Sequence, residues 1–465
     1  MQRETRYCLA AIVPIAALML WYSQTHAFSW DESYHLLAAQ LIAHGKRPYL
    51  DFCFPQPPLN AYWNALWMKV AGESWRVIHA VAALMVCGAV WLISGAGRRP
   101  APIEKGTALS ILALTGLNVL IVQWGLIGQA YAFALFAIVV AFRLALRAVE
   151  SDAPKFAALA GLAAGCGACA TLLTAPVGIV LLVWIFLYNQ HGNRWEKAGA
   201  LVLGEACAFL PLLWLFLQNP RATFFNVVQY ELLYRQVEWE GAYAHDFKIW
   251  MSWLDSSHGV IIAVLAAAGL AWVKYRSGWT RTERDEVYLA AWLAGALMLH
   301  ISQAHPTFAQ YYMLAVPFLA VLAGAAIYAL RTDWAVIALA IFMAVGLAKT
   351  ISEENAYTWR DFDPIAKRVD EIAPRNAPIL ADEQIYFLTH RTPPEGMELN
   401  DSHKMDLDAA QMRALHLVSE AEIERRIRAR EFALVESCGE YEDFDDDAAA
   451  SYPHKEKVGH CTIYW

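Results

Sequence analysis

The chain has 465 residues, 58% of them apolar and 17% charged, whereas a typical soluble protein is nearer to about half and about a quarter. This excludes an ordinary water-soluble enzyme, because the apolar residues gather in runs too long for buried core helices. The formal charge of −8 comes from 36 basic and 44 acidic residues. Residues 351–465 hold 13 Lys plus Arg and 25 Asp plus Glu, net −12, which leaves 23 basic and 19 acidic residues, net +4, in residues 1–350. No basic block points to nucleic acid.

A bilayer core takes roughly 20 apolar residues per helix. On that measure the sequence predicts a mainly α, polytopic membrane protein of about eleven spans, near 7–23, 76–96, 106–123, 128–146, 156–172, 174–189, 198–217, 258–274, 287–302, 311–330 and 334–350. The stretch 156–189 reads either as two short spans or as one long span with a re-entrant turn at Pro176. The first segment lacks a small-x-small cleavage site and reads as a retained span.

Lys and Arg are retained on the cytoplasmic side. Arg3, Arg6, Arg98, Arg99, Lys105, Arg143, Arg147, Lys155, Arg194, Lys197, Lys274, Arg276, Arg281, Arg284 and Arg331 all fall on one side of the predicted topology, and the short loops near 124–127 and 302–310 have none. The N-terminus is therefore expected in the cytoplasm, with the tail outside the inner membrane. Residues 1–350 form the membrane domain, with long exterior loops at 24–75 and 218–257, and residues 351–465 form an exterior domain. The runs Pro378-Ile379-Leu380-Ala381 and Phe432-Ala433-Leu434-Val435-Glu436, with a helical stretch at 409–430, suggest a small α/β fold there. The acidic run Glu440 to Asp447 reads as a solvated loop. Cys8, Cys87, Cys166, Cys169 and Cys207 sit in predicted spans as small packing residues, and Cys438 and Cys461 fall where an oxidising compartment permits a disulfide.

A 50-residue exterior loop directly after the first span is where function is sought. Trp30, Tyr34, Leu37 and Leu41 follow helical spacing and Gly45 stops it, predicting an amphipathic helix at the membrane surface. Ser29 and Glu32 fit a capping box, and acidic residues in a first turn favour the helix dipole. Asp31 is required by no capping pattern. Three prolines stiffen Asp51-Phe52-Cys53-Phe54-Pro55-Gln56-Pro57-Pro58-Leu59. Pro58 then starts a helix whose Leu59, Tyr62, Trp63, Leu66 and Trp67 form a stripe, the usual form of an interfacial anchor.

This order of features, an acidic pair after the first span, a surface helix, Gly45-x-x-Pro48-Tyr49, then Gln56-Pro57-Pro58-Leu59 and an aromatic helix, resembles the polyprenyl-phosphate-sugar-dependent glycosyltransferases of the GT-C fold. Within them it is similar to the glycosyltransferase family 39 group, which includes protein O-mannosyltransferases and lipid A aminoarabinose transferases. The sharp resemblance covers roughly residues 28–68. A His305-Pro306 loop followed by Tyr311-Tyr312 and Pro317, and an exterior C-terminal domain, add to it.

The resemblance implies that Asp31 is the catalytic carboxylate, with Glu32 its companion, and that the donor is a polyprenyl-phosphate sugar. The acceptor is a glycan, lipid or protein hydroxyl. The aminoarabinose transferases place a Lys where this chain has Gln56, which donates a hydrogen bond to phosphate but brings no charge. A phosphate leaves without protonation by a second acid of the glycosidase type, so one carboxylate base suffices and the transfer of a hexosyl or pentosyl group is expected to invert. Charge growing on the phosphate needs donors. Exterior candidates are Lys46 and Arg47, which equally suit lipid head groups, Tyr49, Arg221, Arg235, Lys248, His305 and Tyr311. The sequence specifies no cofactor; a divalent metal held by Asp31 or Glu32 with His245 and Asp246 is an alternative that no spacing specifies. Two other classes stay open: a lipid or sugar transporter or flippase, against which stands the scarcity of ionisable residues in the spans, Glu205 being the main one, and a non-catalytic assembly subunit.

Overall fold

The computed structural model describes residues 3–96, 105–233, 241–275, 279–330, 332–354, 356–400, 407–438 and 446–465. Among the described residues, five helices are long and apolar enough to cross a membrane: Arg6–Thr25, Trp75–Ile93, Tyr131–Glu150, Ser257–Tyr275 and Asp333–Glu353. The number rises to six if the adjoining Arg194–Ala208 and Leu210–Gln218 count as one span. The protein is thus a polytopic membrane protein. Further apolar helices, Gly106–Gly116, Lys155–Ala170, Leu172–Tyr188 and Val316–Leu330, are shorter. The chain divides into two compact units.

The first unit comprises Met1–Ala27, His79–Leu210 and Gly241–Asn355. Helix Tyr131–Glu150 is its centre, with Leu135, Ile138, Val139, Phe142 and Leu146 buried. The ambiguous stretch resolves into helix Lys155–Ala170, a 3-10 turn at Leu172–Thr174 and helix Pro176–Tyr188. Proline fits the start of that second helix because the first turn needs no N–H from it. Small residues replace an apolar driving force where helices meet in lipid. A Cβ on Gly161 would run into the carbonyl of Leu201, and one on Gly204 into that of Ala158, so helices Lys155–Ala170 and Arg194–Ala208 touch backbone to backbone. Arg143, counted above only as a topological charge, is half-buried. It donates to Glu286 and to the carbonyls of Leu92 and Ile93, satisfying the end of the Trp75–Ile93 helix while neutralising itself.

The second unit comprises Phe28–Ile78, Pro211–Glu240 and Ala356–Trp465. Residues 28–75 of the first predicted exterior loop and 218–240 of the second therefore belong to the same unit as the tail, while 241–257 belong to the first unit. Among its helices we label α1 as Trp30–Ala43 and α2 as Leu59–Ala71. Helix α1 begins at Ser29, whose backbone is extended (φ −150°, ψ 141°), and ends before Gly45 at φ 94°, a turn that favours glycine. It packs on α2 and on helix Glu383–Thr389. Residues 35–42 are all buried, so in place of the one-sided surface helix expected from its periodicity, α1 is covered around its girth. On α2 the inward face is Asn60, Ala61, Asn64, Ala65 and Met68, while Leu66 is half exposed and Trp63 and Trp67 meet edge to face.

The tail supplies a four-stranded sheet of β1 (Ile379–Leu380), β2 (Leu434–Ser437), β3 (Lys455–Val458) and β4 (Cys461–Tyr464), in the order β1-β2-β4-β3. Strand β1 is parallel to β2, and the other pairs are antiparallel, with Val435 opposite Tyr464. Cys438 and Cys461 are joined in a disulfide. Helix Trp359–Ile372 opens with a Thr358/Asp361 capping box and buries Trp359, Phe362, Ile365, Ala366 and Val369 at helical spacing. The helical stretch expected at 409–430 is two pieces, Ala409–Ala414 and Glu420–Arg428. His416 takes the left-handed conformation (φ 57°) and Ser419 caps the second piece through the N–H of Glu422. Most of the acidic run lies outside the described residues.

Candidate active site

The acidic pair at the start of α1 separates into two environments. Successive positions in a helix point about 100° apart, and here that rotation sends Asp31 to the exposed surface and Glu32 into the interior. Glu32 is fully buried, and its Oε2 accepts a 3.0 Å hydrogen bond from the indole Nε1–H of Trp359. The Ser29 side chain makes no capping bond, so the S-x-x-E pattern is not used as a capping box. Of the two carboxylates, Asp31 is the one presented to solvent.

The segment after α1 is braced from both sides. Arg47 grips Asp51 through Nε (3.0 Å) and Nη2 (2.9 Å) and adds its own backbone N–H at 2.7 Å. That hydrogen bond, more than the accompanying charge, holds Asp51 below the usual carboxylate range. The guanidinium of Arg47 is therefore largely engaged with Asp51, and Lys46 is exposed beside it. Tyr49 is fully buried at φ 68°. Its hydroxyl donates to the carbonyl of Gln56, and its N–H to that of Phe52 at 2.9 Å, making it a strut for the proline segment.

Asn226, invisible to motif reading, holds that segment from the second long predicted loop. It is fully buried, and its Oδ1 accepts from the N–H of Phe54 (2.7 Å) and the thiol of Cys53 (3.2 Å), while Nδ2 donates to the Ala222 carbonyl (2.9 Å). It sits in the π-helical turn Phe225–Gln229, a form of backbone frequent at functional sites. From the same region Glu231 accepts 3.1 Å from the amide of Gln56. Burial pushes His35, on α1, down to about 3, so that ring is neutral and brings no cation to this unit. Arg235 lies outside the described residues.

His305 and Tyr311 belong to the first unit. Asp246, almost fully buried, accepts from His305 Nδ1 at 2.6 Å on Oδ2 and from the Thr307 N–H at 2.8 Å on Oδ1. Tyr243 stacks on the imidazole, with ring centroids 4.6 Å apart. Asp246 thus fixes the ring by Nδ1 and directs Nε2 away from itself. Tyr311 packs edge to face on Phe308. The sequence offered Asp246 only as a metal ligand; its partnership with His305, 59 residues away, has no local signal.

Among the described residues, possible metal-ligand atoms lie within 4.8 Å of one another in Asp382, Glu436 and Cys438, and in Cys438, His460 and Cys461. The disulfide removes both thiolates from these sets. Of the residues considered above for a metal, Asp31 and Glu32 lie in the second unit and His245 and Asp246 in the first.

No protein-family profile and no curated protein matches the chain. Its architecture is that of a GT-C fold. Among solved structures it is similar to ArnT from Cupriavidus metallidurans in the apo state, at TM-score 0.70 and 13% identity over 98% of this chain and 97% of that one. It is similar also to ArnT from the same organism bound to undecaprenyl phosphate, at TM-score 0.67, 14% identity and the same coverage. The Archaeoglobus fulgidus oligosaccharyltransferase, in complex with Zn and sulfate, shares the fold more loosely (TM-score 0.52, 13% identity, 82% of this chain and 62% of that one).

Proposed function

We propose that the protein is a membrane glycosyltransferase that moves a sugar from a polyprenyl-phosphate donor to an acceptor hydroxyl on the outer face of the inner membrane. The observation that carries this reading is the separation of the acidic pair. Asp31 stands exposed at the start of α1 while Glu32 is committed to Trp359, in a chain sharing its fold over nearly its whole length with an ArnT bound to undecaprenyl phosphate.

In this mechanism Asp31 accepts the proton of the acceptor hydroxyl as its oxygen attacks the anomeric carbon. The bond from that carbon to the phosphate oxygen breaks, the electron pair leaves with the phosphate, and the configuration inverts. Glu32 positions the first turn of α1 through its bond to Trp359. The departing phosphate needs fixed donors in a partly dry site. We assign this work to Lys46 and Arg235, with the Gln56 amide contributing a neutral donor, and we propose His305 and Tyr311, which belong to the first unit, as donor residues in their own right. Arg47 and Tyr49 act by shaping the loop that carries Gln56. The topology that suits this reading has about eleven spans, a cytoplasmic N-terminus and residues 351–465 outside; the Cys438–Cys461 disulfide supports that placement of the tail.

The test is transfer of radiolabelled sugar from membranes to endogenous acceptor in cells carrying Asp31→Asn. Transfer is expected to vanish with expression and membrane insertion unchanged. Transfer at the normal rate would end the assignment of Asp31, and uptake without transfer in proteoliposomes would end the transferase reading.

A further inference from the structure

Within the first unit, the start of helix Lys105–Gly116, the start of Arg281–Ser302 and the end of Val316–Leu330 come together around an open cavity. It measures about 410 Å³ to its open mouth, and its lining includes Thr107, Trp279, Glu283, Glu286 and Tyr328; small-molecule sites have volumes of this order. Helix Arg281–Ser302 has 22 residues and at 1.5 Å per residue runs about 33 Å, so the cavity lies at the opposite end of that helix from His305. None of the residues assigned to the transfer reaction lines it. We propose that this cavity binds the primary ammonium of an aminophospholipid head group, of the phosphatidylethanolamine type.

The lining favours a cation. Trp279 and Tyr328 stand with ring centroids 5.2 Å apart and planes inclined by 63°, forming adjoining walls, and an ammonium is drawn to the electron-rich face of such rings. Glu283 adds a carboxylate. Its capping bonds to Thr280 use Oε2 alone, 2.7 Å from the backbone N–H and 2.8 Å from the hydroxyl, so the cap leaves Oε1 to a donor in the cavity. No Lys or Arg is among the described lining residues. Arg143, bonded to Glu286 and to the carbonyls of Leu92 and Ile93, offsets the charge of Glu286 and leaves that of Glu283 in excess. Thr107 is 8% exposed, and its Oγ1 has no hydrogen-bond partner among the described residues, an uncommon state for a buried hydroxyl. An ammonium carries three hydrogens, enough for Glu283 and Thr107 with one left to face the rings.

The surroundings favour a lipid over a free amine. Trp and Tyr concentrate where head groups meet hydrocarbon. Leu330 ends the helix that carries Tyr328, and Trp334 and Ile337 lie at the start of the next one. All three are exposed, Trp334 by 77%, and they continue into the membrane-capable helix Asp333–Glu353, an apolar surface suited to acyl chains. Arg281 and Arg284, exposed in the first turn of Arg281–Ser302 on either side of Glu283 in sequence, offer positive charge to a phosphodiester. A zwitterionic head group, its ammonium in the cavity and its phosphate at the arginines, matches this order of charges. An anionic phospholipid meets the arginines as well but brings no cation to Glu283.

This inference is independent of the transferase reading. The experiment uses the full chain, purified in detergent, washed free of co-purified lipid and offered equal amounts of dioleoyl phosphatidylethanolamine and dioleoyl phosphatidylglycerol, with retained lipid counted by native mass spectrometry. About one phosphatidylethanolamine per chain is expected, preferred at least about tenfold over phosphatidylglycerol. Trp279→Leu removes a wall of the cavity and Glu283→Gln its charge, and each is expected to lower retention at least about tenfold. Gln still suits this position of a capping box, so Glu283→Gln is expected to fold, which an unchanged melting temperature without lipid verifies. Equal retention of the two lipids, or wild-type retention by both variants, would overturn the proposal. Displacement of the bound lipid by an equal concentration of glycerophosphoethanolamine would overturn the lipid assignment in favour of a soluble amine. Should Glu283→Gln fail to fold, Trp279→Leu and Tyr328→Leu decide.

Discussion

Glu32 accepts a 3.0 Å hydrogen bond from the indole N–H of Trp359, a residue 327 positions further along the chain, with both side chains fully buried. Removing the indole leaves a buried carboxylate without that donor, which costs about 1–3 kcal/mol or more. Trp359→Phe is therefore expected to lower the melting temperature of the full chain, whereas Glu32→Gln, which keeps an acceptor oxygen, is expected to lower it less. In the transfer assay Glu32→Gln should retain activity within about tenfold, while Asp31→Asn loses the roughly 10²–10⁴-fold that a general base supplies. A reversed order of the two effects would exchange their roles.

Asn226 holds the proline segment by its backbone. Asn226→Ala orphans the N–H of Phe54 and should destabilise by about 1–3 kcal/mol, seen as a lower midpoint in thermal unfolding. Because the same segment carries Gln56, the apparent KM for the lipid donor should rise together with this loss. A stability loss with unchanged KM would make Asn226 a purely structural residue.

The Asp246 to His305 pair gives a prediction on donor binding. A hydrogen bond to a charged group contributes about 1.5–3 kcal/mol, so Asp246→Ala should weaken binding of undecaprenyl phosphate by roughly 10–100-fold. His305→Ala should weaken it as much, and the double variant no further, as for two groups acting through one contact. Additive losses in a binding titration would separate the two residues.

Glu398 provides a pH dependence. Burial pushes its carboxyl up to about 7, against the smaller opposing effect of its backbone hydrogen bonds and of Lys46. The folded state therefore binds a proton more readily than the unfolded one between about pH 4.5 and 7. Its contribution to stability is fully present below that window and is lost as the pH rises through about 7, by roughly 3 kcal/mol at full extent. Melting temperatures measured from pH 5 to 8 should fall less steeply in Glu398→Gln than in the wild type; parallel curves would assign the slope to other groups, of which Asp382, raised to about 6 by burial, is the first to examine.

Much of the scaffold was legible because its causes are local. Apolar runs announce apolar helices, five of them long enough to cross a membrane among the described residues, Gly45 announces the end of α1, and Pro176 announces the start of a helix. The short apolar runs at Ile379-Leu380 and Leu434-Val435 announce strands that the structure pairs in parallel. The two faces of α1 were misread because helical spacing reports one buried stripe and says nothing of how many neighbours surround a helix. The break near His416 was missed because its left-handed turn depends on packing around it and not on a glycine.

The sequence by itself determined a membrane-embedded, mainly helical chain with an acidic tail, and it put Asp31 forward as the residue that local capping rules leave unexplained. Only the tertiary structure decided which carboxylate faces outward. Glu32, Asn226 and Asp246 owe their roles to partners between 59 and 327 residues away, and spacing in sequence carries no record of such contacts. Burial and hydrogen bonding, which only the folded chain creates, sort equivalent carboxylates into struts, positioning groups and a candidate base.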